Sequence, residues 1–383
     1  MKPYAVRLKE IIRPAKSVRA ANGIYPILSM TMHQGLVDQA TKFKKRIASV
    51  DTSQYKVVKW DQLVVSFPID EGVLAFQRKY SEAIVSPAYD IWDICAPTVV
   101  HAPYVERVLR SPYALQFYKS KLRGTTARRR TLPVDVFLGM EIPLPPLEEQ
   151  RRIADILDKA EELRKKRQRT IELLEELQTA VFLGKLPDPS IAGGTVMRLA
   201  DVCDKITDGA HLTPTYVEDG VPFLRVTDIQ SAAIDWSRVK RIPLQEHVAL
   251  TARCKPEPGD VLYSKNGTIG IAKYINWQQE FSIFVSLCLL KPKPGVILGE
   301  YLESFLQSDL ALKQARAHSK TGTVTNLHLV DIREIKIPTP PIRVQSEWVA
   351  IKNSFQATRE QLSASLSALD ELIHSLHDTF FMN

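Results

Sequence analysis

Cysteine is scarce: Cys95, Cys203, Cys254 and Cys288 are the four in 383 residues, and no two stand at a paired spacing. That excludes a disulfide framework and a structural zinc site, and fits a reduced compartment. There is no His-x-x-x-His pair for zinc, no Gly-x-Gly anywhere and no Walker phosphate loop, so no metal or nucleotide cofactor is expected on this chain. Long apolar runs are also missing. The longest, residues 281–290, is about half a membrane span and contains two serines. Residues 1–7 lack the apolar core of a signal peptide. A cytoplasmic chain with no membrane partner is the expectation.

What remains is an ordinary globular composition, 45% apolar and 25% charged, with room for two or three domains. The net charge of +8 is unevenly placed. Residues 1–140 hold 22 Lys and Arg against 11 Asp and Glu, whereas residues 190–340 hold 17 against 16. A cationic excess on one segment points towards a polyanionic partner, although many basic proteins bind none.

The stretch that organises the chain is Ile142-Pro143-Leu144-Pro145-Pro146-Leu147-Glu148-Glu149-Gln150. Its prolines fix an extended approach, and the two glutamates supply negative charge to a helix N-terminus. Residues 151–183 contain neither proline nor glycine, and the spacing of Ile153, Ile156, Leu163, Leu174 and Leu177 predicts a coiled-coil stripe ending at Gly184. Such a helix over 148–183 would be about 54 Å long. The motif recurs 195 positions later as Ile337-Pro338-Thr339-Pro340-Pro341-Ile342-Arg343-Val344-Gln345, followed by Trp348, Ile351, Phe355, Leu369 and Leu372 in matching register and by Phe380 beyond them. A long-period repeat takes precedence in assigning the fold. It divides the chain into a globule at 1–140, a long helix at 141–185, a linker at 186–194, a second globule at 195–336 and a second long helix at 337–383. The class is α+β: two mixed α/β globules in pseudo-twofold repeat with two long antiparallel coiled-coil helices. Ten of the apolar positions, Ile153, Ile156, Leu163, Leu174, Leu177, Trp348, Ile351, Phe355, Leu369 and Phe380, are assigned to a helix-pair or subunit interface.

In the first globule, strands are expected within 23–30, 57–65 and 83–94, and one helix over 104–120. That helix leads into a basic loop in which Lys119, Lys121, Arg123, Arg128, Arg129 and Arg130 surround Gly124 and Thr125. Long cationic side chains on a loop can reach phosphates, and arginine can read guanine edges; a merely solvated loop is the bland alternative. The second globule offers Asp208-Gly209-Ala210-His211-Leu212-Thr213, a Lys265-Asn266-Gly267 turn, and Lys320-Thr321-Gly322-Thr323-Val324-Thr325-Asn326 in the place of the basic loop. Position and glycine are shared between the two loops, but the side chains are not, as two readers of different sequences would require. His211, Thr213, Lys265, Asn266, Lys320, Thr321, Thr323 and Asn326 are the candidate DNA contacts here.

The proline run into Leu157-Asp158-Lys159-Ala160, the Asp208–His211 turn and the Gly322-Thr323 loop before Asn326-Leu327 resemble the DNA-specificity subunit of type I restriction–modification systems. The likeness covers essentially the whole chain. The resemblance implies two target-recognition domains, each reading one half of a bipartite site in double-stranded DNA. It also implies two methyltransferase (modification) subunits, carrying S-adenosylmethionine, and restriction/translocase subunits assembled on the helices. The first globule departs from the pattern, having no match to Asp208–His211. Catalysis is not expected of this chain: both Pro-Pro pairs lie at helix entries, so the Asn/Asp-Pro-Pro-aromatic turn of an adenine methyltransferase is missing. Pro187-Asp188 lacks the acidic-x-Lys continuation of a nuclease core. The competing class is a coiled-coil scaffold whose globules bind proteins, which the density of cations at 119–130 opposes.

Overall fold

The computed structural model describes residues 5–32, 34–42, 51–122, 132–185, 195–231, 233–318 and 326–382. They form two compact units, one of Met1–Arg169 with Ser363–Asn383, the other of Thr170–Leu362. Each unit therefore takes in one globule and part of each long helix.

Unit 1 begins with β1 (Ala5–Arg7), which pairs antiparallel with β10 (Glu141–Pro143), the strand that carries the chain into the prolines. Between them runs a four-stranded sheet in the order β2 (Ile12–Pro14), β9 (Asp90–Ile94), β6 (Leu63–Val65), β7 (Leu74–Phe76). Two antiparallel pairs flank it: β3 (Leu28–Thr31) with β4 (Gly35–Asp38), and β5 (Lys56–Lys59) with β8 (Glu82–Val85). The helices are α1 (Gln39–Lys42), α2 (Ala102–Leu109), α3 (Pro112–Lys121), α4 (Val134–Leu138) and the start of α5 (Leu147–Lys185).

Unit 2 repeats the plan. Here β11 (Thr195–Arg198) pairs with β19 (Lys336–Thr339), and the central sheet runs β12 (Cys203–Asp208), β18 (Leu287–Pro292), β15 (Val261–Ser264), β16 (Ala272–Tyr274). A second sheet is ordered β14 (Arg241–Ile242), β13 (Val221–Leu224), β17 (Ser282–Ile283). The helices are α6 (Leu199–Val202), α7 (Leu244–Thr251), α8 (Gly299–Leu306), α9 (Asp309–His318), α10 (Leu329–Arg333) and the start of α11 (Ile342–Phe381).

The repeat is held by the same bonds twice. Prolines leave carbonyls that no helix or strand satisfies, and a buried polar group without a partner is costly. In unit 1 the buried Gln150 answers this: Nε2 donates to the Pro145 and Val99 carbonyls, each at 2.8 Å, and Oε1 accepts from His101 N at 2.9 Å. Gln345 does the same in unit 2 with Pro340, Val296 and Leu298. Tyr104 Oη donates to the Pro143 carbonyl at 2.9 Å, and Tyr301 Oη to Pro338 at 3.0 Å. Glu106 accepts from Phe76 N and Glu303 from Tyr274 N, both at 2.8 Å.

The apolar stripes divide between two jobs. In unit 1, Ile153, Ala154 and Leu157 of α5 and Phe381 of α11 are part of the globule's core, with Phe380 packed against it. In unit 2, Phe182 and Trp348 are buried against Tyr301, with Ile351 beside them, and Trp348 Nε1 donates to Ser304 Oγ at 2.9 Å. Each such side chain contributes roughly 1.5–3 kcal/mol on burial. Arg164 meets Asp370 at 2.5 Å in unit 1, and Arg359 meets Glu175 at 3.2 Å in unit 2. The start of each helix thus lies beside the end of the other, so within each unit the pair runs antiparallel.

Two expectations need correction. The helix over 104–120 is two helices, because the Ser111 hydroxyl caps α3 by accepting from Ala114 N and Pro112 has no N–H to continue α2. Gly184 does not stop α5, which runs to Lys185. Of the positions assigned to a helix-pair or subunit interface, Leu163 and Leu177 are 55% and 52% exposed. Ile156, Leu174, Phe355 and Leu369 are half-buried.

Candidate nucleic-acid interface

In unit 2, β12 and β15 both end at one edge of the central sheet, with β18 between them, so Asp208 lies opposite Cys288 and Ser264 opposite Leu287. This brings the side chains of Asp208 and Lys265 together, 5% and 7% exposed, with Lys265 Nζ 3.2 Å from Asp208 Oδ2. The exposed Arg253 and His211 reach the other oxygen, at 3.1 and 3.2 Å. Burial pushes the Asp208 carboxyl up, but the hydrogen bonds from Arg253, His211 and Lys265 outweigh it and hold the group below its ordinary value. One buried carboxylate therefore organises two permanent cations and a histidine.

The backbone here admits little variation. A Cβ on Gly209 would sit 2.0 Å from the Ile283 carbonyl oxygen, so the turn after Asp208 needs glycine. Ala210 N donates to that carbonyl at 2.9 Å, and Arg253 Nη2 donates to the Gly209 carbonyl at 2.6 Å. Lys265 is gripped from both sides, its N donating to Ser286 O and its carbonyl accepting from Leu327 N, each at 2.9 Å. The next residue, Asn266, bridges antiparallel to Asn326. A cavity of about 520 Å³ opens among Asp208, His211, Lys265, Asn266, Asn326 and His328. A second, also about 520 Å³, includes Leu212, Thr213, Pro214, Ala249 and Leu250.

Unit 1 offers the same frame with other side chains. Ser66 N donates to Val73 O at 2.9 Å, as Ser264 N does to Ile271 O at 2.8 Å, and Gly72 and Gly270 both take positive φ. The two turns have equal length. In register, Phe67-Pro68 stands where unit 2 has Lys265-Asn266, and Phe67 is 55% exposed. Counting on from the Pro14–Trp92 pair, the place of Asp208 is taken by the exposed Lys16. The missing match to Asp208–His211 is therefore a difference in chemistry at a shared position.

Of the residues chosen from sequence, His211, Thr213, Lys265, Asn266 and Asn326 come together at this edge of unit 2. Lys119 and Lys121 are exposed at the end of α3. Arg123, Thr125, Arg128, Arg129, Arg130, Lys320, Thr321 and Thr323 lie outside the described residues. Sequence reasoning missed Arg253, which meets Asp208 across 45 positions and carries no local signature.

Among the described residues no three His, Cys, Asp or Glu side chains are placed to hold a metal ion. Burial pushes the Cys203 thiol up to about 12 and that of Cys254 up to about 11, so neither is a nucleophile at neutral pH. Among the same residues no helix is long and apolar enough to cross a membrane.

Residues 113–174 and 193–368 match the model of the type I restriction modification DNA specificity domain. The chain is 21% identical over 267 residues to the EcoBI specificity subunit of Escherichia coli, across 61% of this chain and 56% of that one. It is 25% identical to the MjaVIII specificity subunit of Methanocaldococcus jannaschii, across 61% and 60%, and 22% identical to the EcoKI subunit of Escherichia coli, across 71% and 65%. The matches thus span less than two thirds of the length of these relatives. In fold, it resembles a chain from a structure described as underlying complex assembly and conformational transition of the type I R-M system (TM-score 0.65, 20% identity, 98% and 96% covered). The type I restriction–modification S subunit from M. genitalium is a second neighbour (TM-score 0.53, 15% identity, 100% and 99% covered). With 113–174 and 193–368 matched, more than half its length, the chain belongs to the type I restriction–modification DNA specificity family.

Proposed function

We propose that this chain is a non-catalytic, cytoplasmic reader of double-stranded DNA, which recognises a bipartite, asymmetric site and directs partner subunits to it. Each unit reads one half. Two modification subunits, carrying S-adenosylmethionine, act on the site, and restriction/translocase subunits join them; the chain holds no cofactor itself. The observation that carries this reading is the pair of equal-length turns on a repeated frame, Ser66–Gly72 and Ser264–Gly270, bearing different side chains. Two copies of a protein-binding module would not need to differ there, whereas an asymmetric site requires it. The cationic excess on residues 1–140 and the relatives' names favour the same reading.

Gel shifts on random duplex, with and without the modification subunits, followed by sequencing of the bound fraction, test it. Two constant half-sites separated by unconstrained bases are expected, and methylation only when the modification subunits are present. Binding with no sequence preference would sink the reading, and so would methylation by the chain alone.

A further inference from the structure

The matched sheet edge of both units carries a large apolar side chain that stands in solvent. In unit 2 it is Leu212, 84% exposed, next to His211 in the turn that follows Asp208. In unit 1 it is the exposed Phe67, which holds the register position of Lys265, near the exposed Lys16 in that of Asp208. Exposed apolar residues scattered singly need no explanation. These two stand at the same edge of a repeated frame, although they come from different turns.

Each is held rigidly where it is. In the turn of Phe67, Ile69 is buried in the core, and a Cβ on Gly72 would touch Leu115 of α3 at 3.5 Å. The segment around Leu212 is pinned at both ends. Ala210 bridges parallel to Phe284, and Thr215 N donates to the Glu246 carboxylate at 3.3 Å. Leu212, Pro214, Leu250 and Arg253 line one cavity, so the apolar tip shares its surface with a permanent cation. The two acids there are occupied, Glu246 by Thr215 N and Asp208 by Lys265, Arg253 and His211. A fixed apolar side chain among cations has the parts of a wedge: the cations hold phosphates while the side chain enters the base stack.

We propose that Leu212 is a wedge that enters the base stack of one half-site and kinks the duplex, with Phe67 as its counterpart at the other. The inference rests on the reading of the chain as a DNA reader and adds how it reads: part of its preference comes from how easily a base step deforms. Between base pairs the leucine leaves water, and that gain offsets part of the cost of unstacking. Pyrimidine–purine steps such as TA and CA unstack most readily, so one should stand at the point of insertion. Asp70 and Glu71 follow Phe67 in its turn and reduce the pull on phosphates there, so the larger effect is expected from Leu212.

The test uses the full-length chain assembled with its modification subunits, as wild type and as Leu212→Ala, Leu212→Met and Phe67→Ala. Duplexes selected by the wild type carry 2-aminopurine at successive positions of each half-site, and dye pairs at their ends report the bend. Leu212→Ala should lower the 2-aminopurine signal at one step of one half-site, reduce the bend and weaken binding about tenfold. Leu212→Met should retain all three. Phe67→Ala should act in the same way at the other half-site, to a smaller extent. A duplex already kinked at the step by a single unpaired base should restore binding by Leu212→Ala, since the side chain no longer has to drive the deformation. Signal and bend unchanged in Leu212→Ala overturn the inference while leaving the chain a DNA reader. Weaker binding that the kinked duplex does not restore also overturns it, by making the leucine an ordinary contact. A lowered melting temperature does so by assigning Leu212 to folding, and loss of modification subunits with the bend intact by assigning it to a protein interface. If the wild type selects no sequence at all, the broader reading fails and this one with it.

Discussion

In unit 2 the edge strand ends at a buried aspartate ringed by Lys265, Arg253 and His211; in unit 1 the same position is Lys16, and the turn beside it carries Phe67 in place of Lys265. Charge and polarity are reversed, yet both turns are closed by the same bond, from the serine N to the strand carbonyl seven residues on. The difference teaches where variation is tolerated. The frame is held by main-chain pairs and by Gln150, Tyr104, Glu106 and their counterparts, none of which involves a side chain of the turn. Side chains at the strand ends can then change without touching the bonds that hold the globule together. On the proposed reading, such a frame lets a DNA preference change at little cost in stability.

The most severe test of that comparison is the shared frame. Gln150→Ala and Gln345→Ala each remove three largely part-buried hydrogen bonds, taking the side-chain partner from two carbonyls and one N–H. Each should cost roughly 3–5 kcal/mol, read as a lower urea midpoint at unchanged slope. Losses differing by more than about 1.5 kcal/mol would mean that the two copies are not energetically alike.

Next in size is an effect on unit 1 alone. Replacing Arg128, Arg129 and Arg130 together by alanine should flatten the salt dependence of DNA binding, by about 0.9 in log–log slope for each phosphate that the loop no longer neutralises. Selectivity at the half-site read by unit 2 should persist. An unchanged slope from titrations at several salt concentrations would remove this loop from the interface.

The frame was legible in the sequence for a physical reason. A proline run before a helix, and an apolar period of three to four, are local patterns that a few neighbouring residues determine. Gln150 and Gln345 showed themselves because the motif occurs twice, although their bonds could not be foreseen. The site was legible only in part. Asp208 and Gly209 stand together in the chain, but Arg253 reaches them from the turn just beyond α7. Phe67 was invisible as a counterpart of Lys265, since nothing in an apolar side chain announces that it occupies a lysine's place. The break at Ser111 was written locally in Ser111-Pro112, yet the apolar spacing of Val105, Val108 and Leu115 runs straight through it and gave the wrong reading.

A smaller effect separates organisation from charge. By plain electrostatics, Asp208→Asn removes a negative charge from a surface facing a polyanion and should tighten binding. If the carboxylate positions Lys265 and Arg253, binding should instead weaken, about tenfold, a loss equivalent to about 1.4 kcal/mol, near the low end for one hydrogen bond to a charged group. Lys16→Asn in unit 1 should also weaken binding, so opposite changes of charge would act in one direction. The folded Asp208 carboxyl lies below its ordinary value, so its stabilisation is complete above the unfolded value near pH 4 and is lost as pH falls through the folded one. Acid titration of unfolding should show that loss in the wild type and not in Asp208→Asn. Tighter binding by the variant would leave Asp208 a bystander.

The least effect on the chain itself is expected at the exposed leucines, Leu163 on the part of α5 in unit 1 and Leu177 on the part in unit 2. Neighbours on the same helix such as Ile153 and Phe182 lie in the cores, and truncating those should cost several kcal/mol. Leu163→Ser and Leu177→Ser bury nothing and break no bond, so each should move the stability of the isolated chain by no more than about 0.5 kcal/mol. Leucine on a solvated helix face is nonetheless a poor choice unless something covers it, and the modification subunits proposed to assemble on the helices are the candidates. The two substitutions should then reduce retention of those subunits in co-purification while leaving the melting temperature of the chain where it was. If retention is unchanged for both, the exposed part of the stripe is not where the partners sit, and the comparison between the units reduces to their cores and their reading edges.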